Sequence, residues 1–220
     1  MWPSSIVRKQ PSAFLRQRKD TLATYHAISA ISQAIVSLLK TACPAGEFPN
    51  VDVKLFQAKD AQNVGEWEGI SLFLYRAPVS GARRQMPTSI GPGGRPYKRP
   101  LPVDLFYMLT PWAKTAEMQH LLLGWAMRTI EDSPSLPPSL LNAHFPNDRP
   151  FRTDETVELI HDTLSIQDLN NIWEIFGKHN VQVSATYVAR VISIESRIET
   201  DADAIPAQTR VFDAGPREAS

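Results

Sequence analysis

The stretch 101-LPVDLFYMLTPWAKTAEMQHLLLGWAMRTIED-132 decides the fold. Leu101, Val103, Leu105, Tyr107 and Leu109 alternate with Pro102, Asp104, Phe106 and Met108, so large apolar groups fall on both faces, as in a central strand covered on both sides. Asp104 alone interrupts the pattern. Pro111 has no N–H to donate and is expected to end the ladder; Thr115 then caps a helix with Glu117 in its first turn. Met118, Leu122, Trp125 and Thr129 follow at helical spacing, and Leu123, Met127 and Ile130 form a second ridge. Only His120, Gly124, Arg128 and Glu131 remain as a narrow polar face, so this helix packs on the sheet and needs further cover.

Upstream, residues 24–42 place Ile28, Ile31, Ile35, Leu38 and Leu39 on one stripe of an amphipathic helix stopped by Pro44 and Gly46. Residues 51–58 alternate Val51, Val53 and Leu55 against Asp52 and Lys54, a strand with one wet face, and residues 60–68 read as a polar turn anchored by Trp67. GISLFLY (69–75) is apolar on both faces and belongs inside the sheet. Downstream, the proline-rich residues 133–152 are expected to cross the surface, and residues 156–160 to form a short strand. LSIQDLNNIWEIFG (164–177) carries its own helix signals: Ser165 as cap, Asp168 three residues on, Gly177 as terminator, and a stripe of Ile166, Leu169, Trp173 and Phe176 facing the sheet. Residues 181–196 give the longest alternation, hence a long strand.

At 220 residues and 43% hydrophobic, one domain over residues 21–196 is expected, flanked by a basic disordered leader (1–20) and a flexible acidic tail (197–220). The fold class is α/β (α+β): a mixed, mostly antiparallel sheet with about three packed helices. Net charge is zero, so no overall field draws the chain to nucleic acid or to an acidic membrane. The single cysteine, Cys43, excludes an intramolecular disulfide framework and fits a reducing compartment. No apolar run reaches the length of a membrane span.

Chemistry is sparse. His26, His120, His144, His161 and His179 stand singly, and no GxSxG elbow surrounds a serine. No cofactor, metal or catalytic residue is assigned. An enzyme reading would rest on Glu155, Glu158, His161 and Asp162, whose bland reading is a solvated strand edge. Asp104 in a buried strand needs a partner, and Arg76 or Arg190 is the expected one. Residues 81–100 form the longest irregular segment, with Arg83, Arg84, Arg95, Lys98 and Arg99, Tyr97 among them, and no acid. A small adaptor gripping nucleic acid there is one alternative; an arm reaching an acidic protein surface is the preferred reading.

Taken in order, ATYHAISAISQAIVSLLK, GISLFLYR, residues 101–142, ETVELIHDTLSIQDLNNIWEIFG and QVSATYVARVIS resemble the cap or tail-terminator proteins of extracellular contractile injection systems, phage-tail-like particles of the virulence-cassette and antifeeding-prophage type. The resemblance spans roughly residues 23–196. It implies a structural protein forming a six-fold ring of itself at the end of tube and sheath opposite the baseplate. Such a ring ends polymerisation and ties tube to sheath, in a particle assembled in the cytoplasm. On that reading Arg83, Arg84, Arg95, Tyr97, Lys98 and Arg99 are interface residues, meeting a neighbouring subunit or the last ring of tube or sheath.

Overall fold

The computed structural model describes residues 24–81, 89–90, 95–177 and 182–200. In chain order the elements are α1 (Ala27–Ala42), β1 (Asp52–Leu55), α2 (Ala58–Gln62), β2 (Gly69–Arg76), β3 (Ser89–Ile90), β4 (Pro96–Tyr97), β5 (Leu101–Trp112), α3 (Ala116–Asp132), β6 (Ser135–Leu136), α4 (Pro138–Leu141), β7 (Val157–Asp162), α5 (Ile166–Phe176) and β8 (Ala185–Ile194). Six strands form one sheet in the order β1-β2-β5-β8-β7-β6, and β3 with β4 makes a separate small hairpin. Only β1 with β2 is parallel. This is the expected mixed sheet, with β5 at its centre and three long helices, α1, α3 and α5, packed on it.

Because β5 is covered on both sides, its alternation sorts two cores. On the first face Leu105, Tyr107 and Leu109 lie beside Leu72, Ala185, Tyr187, Ala189 and Leu159. Ile31, Ile35 and Leu39 of α1 and Leu122, Ala126 and Ile130 of α3 close over them. The Tyr107 hydroxyl shares a 2.9 Å hydrogen bond with Ser32 of α1, and burial raises its pKa above the ordinary tyrosine value. On the second face Met108 and Trp112 meet Ala61 of α2 and Trp173 of α5, with Phe56, Phe73 and Leu169 at the margin. Trp112 donates to Ser71 Oγ at 2.8 Å and meets Trp173 edge-on at 6.4 Å between ring centroids.

The local start signals behave as read. Thr115 Oγ1 accepts from Met118 N–H at 3.2 Å and Ser165 Oγ from Asp168 N–H at 3.1 Å, each satisfying a first-turn donor. Cys43 follows α1 as its C-cap, half-buried, with burial pushing its thiol up and away from thiolate chemistry.

Several expectations are corrected. The ladder runs through Pro111, which sits opposite Ile70. Phe56 N–H donates to Leu72 O, so Leu72 turns its polar groups toward β1; Leu109, and Pro111 two residues on, turn theirs away from β2, beyond the last β8 partner at Ala185. A missing N–H there breaks no ladder bond. Residues 60–68 are not wholly a turn: α2 occupies their first part, its Gln57 N–H bonded to Asp60 Oδ2 at 2.8 Å. Residues 133–152 contain β6 and α4 and contribute Leu136, Leu141 and Phe151 to the core. The last long strand is confined to Ala185–Ile194, and Val183 lies outside it and exposed. Ile166 does not face the sheet; it is 79% exposed.

Asp104 finds neither arginine. Both neighbours of β5 carry an extra residue here, β2 at Tyr75 and β8 at Arg190–Val191. Val191 has φ 57°, a left-handed conformation uncommon for a β-branched residue, and its N–H donates to Asp104 Oδ1 at 2.7 Å. Arg76 instead lies over the Phe106 ring at 3.9 Å, and Arg190 is exposed. At the β1 edge the same device recurs in miniature. Val53 N–H, turned away from β2, is bonded to Asp52 Oδ1 at 2.8 Å, and Lys40 and Lys54 flank that carboxylate at 2.9 and 3.6 Å. Burial pulls the Asp52 pKa up, but the Lys40 hydrogen bond, the Val53 N–H and the charges of Lys40 and Lys54 together hold it below the ordinary value.

Candidate assembly surface

Past the two bulges the sheet extends as a narrower tongue: Val79 bridges Val103, Ser80 N–H donates to Pro102 O at 2.8 Å, and Leu101 pairs with Ile194. We call this the distal end; the opposite end, at Trp112 and Ala185, is the proximal end. The β3–β4 hairpin stands at the distal end because residues 198–200 run along it. Lys98 N–H donates to Ile198 O at 3.0 Å, Thr200 N–H donates to Pro96 O at 2.8 Å, and Tyr97 bridges Glu199. The segment counted from residue 197 as tail therefore lies against β4 as far as Thr200; residues 201–220 and the leader 1–20 lie outside the described residues.

Of the six expected interface residues, Arg83 and Arg84 lie outside the described residues. Arg95 Nη1 is 3.2 Å from Glu199 Oε1 and Tyr97 Oη 3.5 Å from the same oxygen, an exposed pairing along the hairpin. Lys98 and Arg99 are exposed. Arg197 lies over the ring of Tyr25 at 5.2 Å, bringing the start of α1 to the same end.

Sequence reasoning missed the apolar part of this surface. Tyr25, Val79, Leu101 and Ile198 are 63%, 51%, 47% and 56% exposed, and Val79, Leu101 and the half-buried Ile194 share the first face of the sheet. Leu101 belongs to a run whose other members are core, and nothing local marks it as the residue at which cover ends. The distal end is thus a rim of apolar groups continuous with the core, edged by Arg99, Lys98 and Arg197, which is the composition of a protein-docking surface.

The enzyme candidates do not converge. Glu155 accepts the Arg152 N–H at 2.8 Å in a loop, Asp162 accepts from Tyr75 Oη at 3.3 Å, and His161 packs edge-on against Tyr187 at 5.7 Å on the other face of β7. Desolvation, with the Asp162 charge second, pushes the Tyr75 hydroxyl up to about 12. Among the described residues no three His, Cys, Asp or Glu side chains gather as metal ligands, and no helix is long and apolar enough to cross a membrane. Arg95, a candidate for a nucleic-acid grip, pairs with Glu199 at the surface.

No curated protein sequence matches the chain. Among solved structures it is similar to the sheath/tube terminator of the PVC extracellular contractile injection system in its extended state, with TM-score 0.59 and 14% identity over 88% of this chain and 64% of that one. It is also similar to the tube-terminating cap of the anti-feeding prophage, with TM-score 0.53 and 16% identity over 77% of this chain and 56% of that one. The chain thus spans under two thirds of either structure's length, and the likeness is one of fold. A family model matches residues 30–206, from early in α1 to beyond the hairpin partner Glu199, and on that match the chain belongs to the Pvc16 N-terminal domain family.

Proposed function

We propose that this chain is a terminator of a contractile injection system, a structural subunit that forms a six-membered ring on the last layer of inner tube and sheath, stops their growth and joins one to the other. The observation that carries the reading is the family match across residues 30–206 together with a fold shared with two terminating proteins, one of tube and sheath, the other of tube. The distal rim supports it physically: an apolar margin edged by basic side chains suits repeated contact with protein. A closed ring needs a self-contact between two different patches whose rotation returns to the start.

Tail assembly with and without the chain tests this. Sheath and tube assembled with it are expected to have uniform length and a visible ring at one end in negative stain; without it, lengths scatter. Uniform, capped tails in its absence would sink the proposal. Alanine at Arg83, Arg84, Arg95, Lys98 and Arg99 together is expected to leave the subunit folded and the tails irregular.

A further inference from the structure

Three stretches of chain leave the described residues at the distal end: 1–23, which precedes Thr24 and Tyr25; 82–88, which follows Gly81; and 201–220, which follows Thr200. They depart beside one patch, the exposed rim of Tyr25, Val79, Leu101 and Ile198. Charge sorts them. Lys98, Arg99 and Arg197 stand exposed around that rim; of the acids nearby, Glu199 pairs with Arg95, Glu195 is half-buried, and Asp148 lies 4.0 Å from His26 Nδ1. Residues 1–23 carry Arg8, Lys9, Arg16, Arg18 and Lys19 against Asp20 alone, and residues 82–88 carry Arg83 and Arg84 with no acid, so either would set like charge against like. Residues 201–206, DADAIP, carry Asp201 and Asp203, no cation, and one large apolar side chain, Ile205. Chain length allows the contact. Thr200 N–H is bonded to Pro96 O, and Leu101 is five residues from Pro96, hence within about 17 Å of it. Ile205 is five residues past Thr200 and spans as much. The family match runs to residue 206, so the shared domain takes in this segment and stops short of 207–220.

We propose that in the free subunit residues 201–206 fold back over the distal end of their own chain, Ile205 against Val79 and Leu101, with Asp201 and Asp203 facing Lys98 and Arg99. The occupant is the chain's own segment because its charge is opposite to the rim's and its tether holds it there at an effective concentration on the order of millimolar, which a separate copy in dilute solution does not match. The segment is a self-cover: it keeps exposed apolar groups from meeting other proteins early, and docking on a last layer of tube or sheath must displace it. Only that displacement rests on the terminator reading; the cover itself does not.

A cysteine pair in the full chain tests it. Leu101→Cys with Ile205→Cys, in a Cys43→Ala background, is expected to form a disulfide within one chain under mild oxidation, seen as a faster-migrating monomer on a non-reducing gel. Adding Asp201→Lys with Asp203→Lys is expected to slow its formation roughly tenfold at low salt and hardly at all at high salt. In the chain without engineered cysteines, the same two lysine substitutions are expected to raise the binding of the apolar dye ANS while circular dichroism and Tm stay at the wild-type values. No disulfide, a disulfide only between chains, a rate indifferent to the two aspartates, or unchanged dye binding overturns the self-cover and leaves the terminator reading standing. Uniform capped tails made without the chain overturn that reading, while the disulfide rate still reports the cover.

Discussion

The two faces of the sheet are covered by different means. The first lies under two long helices, α1 and α3, whose aliphatic stripes meet Leu105, Tyr107 and Leu109 in one continuous core. The second is closed by a five-residue helix and by α5, and the described apolar residues buried there are few: Ala61, Met108, Trp112, Trp173 and, opposite Phe106, Val188. Area removed from water scales with the number of apolar groups covered, so the first face holds the fold together and the second is a clasp held by two indoles meeting edge to face.

Five substitutions sharpen or break that contrast. Leu105→Ala, at the centre of the first face and fully buried, is expected to cost about 4 kcal/mol and to lower the midpoint of cooperative unfolding by denaturant without changing its slope. Trp173→Ala is expected to cost about 3 kcal/mol, expressed locally: amides of α5 lose hydrogen-exchange protection while those of β5 and β8 keep theirs. Loss of protection throughout the sheet would show that the clasp is part of the main core. Asp104→Ala, outside both core clusters, is expected to cost about 1.5 kcal/mol by stranding the Val191 N–H. Val191→Gly in that background should recover about 0.5–1 kcal/mol, since glycine takes the left-handed conformation freely. Ile166→Gln, in the exposed first turn of α5, is expected to stay within about 0.5 kcal/mol of wild type in chemical denaturation. A larger loss would mean that α5 buries more than Trp173 conveys.

The parts legible in the sequence are those fixed by neighbours along the chain. The alternation of Leu101–Leu109, the stripe of α1 and the caps Thr115 and Ser165 are set within one or two turns, and each was readable. Long-range partners were not. Pro111 reads as a stop until the end of β8 is known, because its missing donor matters only on the side where a neighbour stands. Asp104 invites an arginine, yet a bulge formed 87 residues away supplies a backbone N–H. At the candidate surface, the basic composition of residues 81–100 was plain, but the pairing of Arg95 with Glu199 joins positions 104 apart and was not. The exposed apolar rim was hidden because Val79 and Leu101 are chemically no different from their buried neighbours.

At the β1 edge, the Val53 amide that would greet an incoming strand is already occupied by the carboxylate beside it, with Lys40 and Lys54 standing guard. An unguarded sheet margin templates further chains, and aggregation begins from such margins. For a subunit proposed to finish a polymer, this sterility matters as much as any adhesive patch. Asp52→Ala would then do more than trim an ion pair: it would hand the last strand a vacant donor and let the molecule seed growth of its own.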